Sequence, residues 1–204
     1  MEPVDCPPLP NNLDLTKTPI RAVLALTDPL AWGRELQICC DVLRSDGYPG
    51  SITASQGVPL YSSCADFIYA AEYSASPRFG SGSFLFALES LYEELSTVDG
   101  GERETLSVVR YGKPWPRTFD YARGVLENYL GETEAASLKR IYMVGDNGET
   151  DIRGANDAGD PWFSVLTRSG LFKGDNHPVH PGSAVIDDVG ELIGLVDTFE
   201  ASQN

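Results

Sequence analysis

The chain has 204 residues, 42% of them hydrophobic, enough for one substantial core or two small ones. Fifteen basic residues stand against 30 acidic ones, a net charge of −15. That balance excludes attraction of nucleic acid or of anionic membranes by bulk charge, and leaves only local basic pockets for a phosphate group. No apolar run approaches the roughly 20 residues that span a bilayer, so a soluble protein with no transmembrane segment is expected.

Residues 1–19 open with MEPVDCPPLPNN, which is acidic, Pro-rich and without the apolar stretch of a signal peptide. They read as a disordered or extended lead-in. The run IRAVLAL (20–26) is strand-like and ends at Asp28-Pro29, a good N-cap and first-turn pair for a helix reaching about Leu43. Leu36, Cys39, Cys40 and Leu43 share one face of that helix. With Cys6 and Cys64 the chain has four cysteines and no C-x-x-C spacing, so buried thiols of a reducing compartment are expected. Residues 48–62 are rich in Gly, Pro and Ser and read as loop with one or two short strands.

The segment from Cys64 to Ser96 shows two helical patterns separated by SPRFGSGS. In the second, Phe84, Leu88, Leu91 and Leu95 form an amphipathic stripe. Gly80 and Gly82 stand at its N-terminus, where free amides could meet an anion or simply turn the chain into the helix. Residues 97–105 read as a linker. A short strand then leads into Gly112-Lys113-Pro114 and a helix whose inward face is Phe119, Ala122, Leu126 and Tyr129. Ile141–Val144 is a short apolar strand followed by an acidic loop with Asp146, Glu149 and Asp151, and a helical run over 151–158 that Asp151 would cap. Two carboxylates at the carboxyl end of a strand make a hard-cation site conceivable. Strands at 163–167 and 183–187 and a closing helix over 189–199, with Asp187-Asp188 at its start, complete an α/β pattern. His177 and His180 fall in a Pro-rich loop and read as surface residues.

Taken together, YGKPWPRTFDYA and IYMVGDNGETDIRGAND resemble the third and fourth motifs of the haloacid dehalogenase-like (HAD) hydrolases. The resemblance is to class IIA, in the branch of the cat eye syndrome critical region protein and its fungal relatives. DPLAWGRELQICCDVLRSDG and CADFIYAAEYSASPRFGSGSFLFALESLY look like the second half of that group's cap, and coverage begins near Ile20. The resemblance implies an α/β, HAD-like Rossmannoid parallel sheet over residues 106–204, its C-terminal part, and the second half of an α/β C2-type cap over 20–105. It further implies Mg²⁺-dependent phosphoryl transfer from a small phosphorylated metabolite to an aspartate nucleophile, then hydrolysis of the aspartyl-phosphate. By motif position Lys113 is the charge-stabilising lysine, Asp146 and Asp151 serve the metal, and Asn147 shapes the loop. Arg78, Gly80, Ser81, Gly82 and Ser83 become the cap's contribution to substrate contact. Gly148 departs from the proline common in relatives. Mitochondrial residence and a tie to glycerophospholipid metabolism also follow from resemblance only; otherwise a cytoplasmic protein is expected.

The family's first motif, an apolar strand ending in D-x-D, is not found. At the nearest candidate, Asp28, Leu30 occupies the second acidic position, and Asp187-Asp188 lies in the wrong order. The expectation is a catalytically incomplete C-terminal portion, in which the strand Ile141–Val144 has an open edge. An N-terminal half or an oligomeric partner would complete it. The alternative is a non-catalytic HAD-fold binding module. A dinucleotide site is disfavoured because no G-x-G-x-x-G follows a strand.

Overall fold

The computed structural model describes residues 13–71, 76–98 and 101–201. Most of the expected lead-in (1–12), Cys6, and Asp99 and Gly100 of the expected linker lie outside the described residues. Among 13–19 the chain forms a turn, because Asp14 Oδ1 accepts from the amide of Thr16 at 3.0 Å and from its hydroxyl at 2.6 Å. The chain folds into two compact units. The first takes the chain up to Ala25, Pro29–Tyr61 and Phe84–Val109; the second takes Leu26–Asp28, Ser62–Ser83 and everything from Arg110. The single boundary at 105/106 suggested by the sequence therefore differs from this division, in which residues 62–83 group with the C-terminal part.

In the first unit, β1 (Val23–Ala25), β2 (Leu60–Ser62) and β5 (Val108–Arg110) form a sheet in the order β1-β2-β5. α1 is Trp32–Leu43 and α2 is Ser81–Val98. Cys40, Leu43, Leu60, Phe84, Leu85, Leu88, Tyr92 and Leu106 make the core, with Leu36, Cys39 and Leu95 packed against it. The stripe expected on α1 is the one that packs. On α2 it shifts: Leu91 is exposed and Tyr92 takes the inward place. Each fully buried Leu here contributes about 1.5–3 kcal/mol of transfer free energy. Asp28 does not cap α1. The chain runs three residues further before the helix starts, Ala31 is the N-cap without a side-chain bond, and Glu35 reaches back to accept the Ala31 amide at 2.9 Å.

In the second unit, the first helical pattern after Cys64 proves to be extended over its described residues, 64–71, and its residues 72–75 lie outside those described. β3 (Ile68–Tyr69) pairs antiparallel with β4 (Arg78–Phe79), Ile68 opposite Phe79 and Tyr69 opposite Arg78. The β-branched and aromatic residues of this stretch favour a pleated pairing over a helix. β6 (Ile141–Gly145), β7 (Trp162–Thr167) and β8 (Ala184–Ile186) then form a wholly parallel sheet in the order β6-β7-β8, with Ile141 opposite Trp162 and Val165 opposite Ala184. Central β7 carries the fully buried Val165 and Leu166. Around this sheet lie α3 (Pro116–Leu130), α4 (Glu132–Ala135), α5 (Arg153–Ala158) and α6 (Leu192–Ala201). Pro116 opens α3 at a position that needs no backbone donor. Of its expected inward face, Phe119 is buried and Leu126 half-buried, whereas Ala122 and Tyr129 face outward. Phe119 meets Trp162 edge-on at 5.1 Å between ring centroids. No helix among the described residues is long and apolar enough to cross a membrane.

Candidate functional site

β6 delivers Asp146 at its carboxyl end, and the chain then enters a π-helical turn, Gly148–Ile152, before α5. Such turns are uncommon and concentrate at functional sites. Asn147, not Asp151, is the cap: its Oδ1 accepts the Glu149 amide at 3.0 Å, and its carbonyl accepts from Asp151 N at 2.9 Å. Released from capping, the Asp151 side chain turns inward. It is buried; one carboxylate oxygen pairs with Lys113 Nζ and the other accepts the Asn147 amide at 3.1 Å. Asp151 fits because Gly145 has no side chain, since a Cβ there would lie 2.1 Å from Asp151 Oδ2.

Lys113 arrives from the loop between β5 and α3. Gly112 holds a positive φ of 81° there, and a Cβ on it would come within 2.3 Å of the Ser63 carbonyl, so glycine is needed twice over. Burial alone pushes the Lys113 ammonium down. Its hydrogen bond to Asp151, the Asp151 charge and then the Asp66 charge outweigh that and hold its pKa above the ordinary 10.5. Lys113 is therefore a fixed cation at any physiological pH.

Asp146 lies on the other side of the loop, half-buried, with Oδ2 accepting the Leu171 amide at 2.6 Å. The carboxylate rests against Gly170, where a Cβ would come within 1.8 Å of Oδ2. Its Oδ1 has no hydrogen-bond partner among the described residues. These donors suit Mg²⁺, which binds one or two carboxylates and keeps several waters. Asp146 can offer an oxygen directly, while both Asp151 oxygens already have partners and can serve an ion only through water. No group of three or more His, Cys, Asp or Glu among the described residues is arranged to hold a metal.

Asp66 is the residue that sequence reasoning missed. Its Oδ1 accepts the Thr150 hydroxyl at 2.7 Å and Asn147 Nδ2 at 3.4 Å, across more than 80 residues of sequence, and its charge acts on Lys113. Cys64 Sγ lies 3.7 Å from its Oδ2, and burial pushes that thiol's pKa up. An acid inside the otherwise apolar CADFIYAA was the available signal. The helical reading of that segment hid it.

The amides that Gly80 and Gly82 were expected to leave free are engaged, as is that of Ser83. They donate to the carbonyls of Phe67 (2.9 Å), Asp66 (3.0 Å) and Gly80 (3.0 Å). The glycines instead allow close packing on the 65–66 backbone, with Cβ positions 2.4 Å from the Asp66 and Ala65 carbonyl oxygens. The Ser81 hydroxyl donates to Asp28, the Ser83 hydroxyl donates to Phe67 O at 2.5 Å, and Arg78 is exposed on β4. A free-amide anion cradle is thus not built here.

His177 and His180 are more than surface residues. Their rings stack with centroids 5.9 Å apart, and their Nε2 atoms lie 3.7 and 3.4 Å from the two oxygens of Glu149. His177 Nδ1 accepts the His180 amide at 3.0 Å, which assigns its ring proton to Nε2, facing Glu149. The His177 ring covers Gly148 so closely that a Cβ would stand 2.4 Å from it. Gly148→Ala is therefore expected to lower stability by about 1–3 kcal/mol in denaturant titrations. Adding His177→Ala should recover most of that loss, and no recovery would show that the ring is not the obstacle.

Comparison with known proteins finds similarity to hydrolases. The family model described as "HAD-hyrolase-like" matches residues 110–192, which hold Lys113, Asp146 and Asp151. The chain is 41% identical over 186 residues to a cardiolipin synthase (CMP-forming)/mitochondrial hydrolase fusion protein of Schizosaccharomyces pombe, covering 88% of this chain and 29% of that protein. It is 30% identical over 205 residues to a mitochondrial hydrolase of Saccharomyces cerevisiae, covering 88% and 56%. The chain thus spans less than two thirds of either relative. Among solved structures, a possible sugar phosphatase of the HAD superfamily from Cytophaga hutchinsonii superposes with a TM-score of 0.57 at 20% identity, over 83% of this chain and 52% of that one. A 4-nitrophenylphosphatase from Thermotoga maritima gives 0.52 at 20% identity, over 84% and 54%. Residues 110–192 thus match the HAD-like hydrolase family, and most of the chain is similar to two fungal proteins named as mitochondrial hydrolases.

Proposed function

We propose that residues 110–192 carry the charge-stabilising half of a phosphohydrolase site acting on a small phosphorylated metabolite. The observation that supports this reading is the Lys113–Asp151 pair set at the end of β6 beside the half-open carboxylate of Asp146. Lys113 binds a phosphoryl oxygen and offsets the negative charge that grows during transfer. Asp151 aims the ammonium, and Asn147, Thr150 and Asp66 hold the π-turn that carries Asp151. Asp146 would hold magnesium, with Asp151 in support, and the ion would supply further charge neutralisation. Arg78 on β4 is the cation of the 78–83 segment that a substrate's anionic end could meet. The 204 residues contain no D-x-D, and on this reading the nucleophile is supplied from outside them. The names of both fungal relatives support mitochondrial residence, and the Schizosaccharomyces pombe fusion supports a link to glycerophospholipid metabolism.

A non-catalytic binding module is the second reading, favoured by the full hydrogen bonding of Asp151. Magnesium-dependent release of 4-nitrophenol from 4-nitrophenyl phosphate separates the two. The chain by itself is expected to show no turnover. Joined to the sequence encoded upstream it is expected to turn over, and to lose activity with Asp146→Ala or Lys113→Ala. Turnover by the 204 residues alone, abolished by Asp146→Ala, would instead require a nucleophile within them. A longer product that stays inactive would favour the binding module.

A further inference from the structure

The parallel sheet has a second end. Asp146 follows the carboxyl end of β6, whereas a cavity of about 470 Å³ opens where β6 and β7 begin. Five residues of strand put the two ends roughly 15 Å apart. The cavity is lined by Arg123, Lys139, Arg140, Trp162 and Phe163, with Asp160 the one acid in its wall among the described residues. In a chain with twice as many acids as bases, three basic residues gather in this wall, with the Glu127 carboxylate paired to Arg123 beside it.

The cations are also arranged for use. The Arg140 guanidinium stands 5.4 Å from the ring centroids of both Phe163 and Phe199, which fixes its plane. Arg123 Nε donates to Glu127 at 2.6 Å, which steadies the side chain and uses one of its five N–H groups. Lys139 is exposed and makes no ion pair among the described residues. The remaining N–H groups of Arg123 and the Lys139 ammonium offer several donors to the oxygens of a phosphate chain, and the volume falls in the range of small-molecule sites.

We propose that this cavity binds a small polyphosphate-bearing anion, remote from the Lys113 site. Inorganic pyrophosphate is the probe, titrated into the full chain without magnesium while tryptophan fluorescence is followed, since Trp162 lines the cavity. A saturable change that weakens as salt is added is expected. Lys139→Glu should raise the dissociation constant roughly tenfold or more, and Lys139→Arg should keep it near the parent value. Arg123→Gln should weaken binding in the same direction. Absence of saturation up to about 10 mM pyrophosphate would overturn the proposal, as even millimolar binding is then missing. Saturable binding that Lys139→Glu leaves unchanged would overturn it too, because the anion would then sit elsewhere, the Lys113 site included.

Discussion

Lys113→Met is expected to cost about 3 kcal/mol in denaturant unfolding, and the double variant Lys113→Met/Asp151→Asn is expected to recover most of it. The asymmetry follows from exposure: the Lys113 side chain keeps 38% of its surface in water and that of Asp151 only 4%. Removing the lysine leaves a carboxylate buried without its cation. Removing the carboxylate leaves a lysine that can swing into solvent, so Asp151→Asn alone should cost less. Folding raises the Lys113 pKa, so the pair's contribution is complete below the unfolded value near 10.5 and fades as pH rises through the higher folded value. The gap between parent and Lys113→Met should therefore stay flat from about pH 6 to pH 9 and close only in stronger alkali. Equal costs for the two single variants would show that the pair is not held as described.

Phe119→Ala should be the most damaging single core change near the site, at about 3–5 kcal/mol. Phe119 is buried, meets Trp162 of β7 edge-on, and fills the space over Gly154 of α5, where a Cβ would touch its ring at 2.3 Å. One side chain thus ties α3, and with it the loop bearing Lys113, to the sheet and to the helix following Asp151. Loss of the ring should also change Trp162 emission. A variant within 1 kcal/mol of the parent would mean that the cavity collapses freely, contrary to the close packing seen.

These two residues were legible in the sequence: Phe119 by its helical spacing, and Lys113 through the company of its motif. The parallel strands at 141–145, 162–167 and 184–186 were legible too, because buried parallel strands read as short apolar runs between turns. What escaped was set by distant partners. Ile68 and Tyr69 became strand because Arg78 and Phe79 lie beside them. Asp151 left its cap position because Lys113, 38 residues earlier, offered a charge. Tyr92 displaced Leu91 because the inward face of α2 is fixed by what packs on it. Asp66 escaped for the same reason, since nothing near it in the chain announces Thr150 and Asn147.

The Asp66 contact has a practical outcome for dissecting the protein. A fragment begun at residue 106 would retain Lys113, Asp146 and Asp151, and so would look self-sufficient in an alignment. It would lack the carboxylate that receives the Thr150 hydroxyl, a bond that joins residues 84 positions apart. The smallest expressible piece that keeps the π-turn braced is discontinuous. It needs residues 62–83 supplied in cis through the intervening helix, or in trans as a peptide.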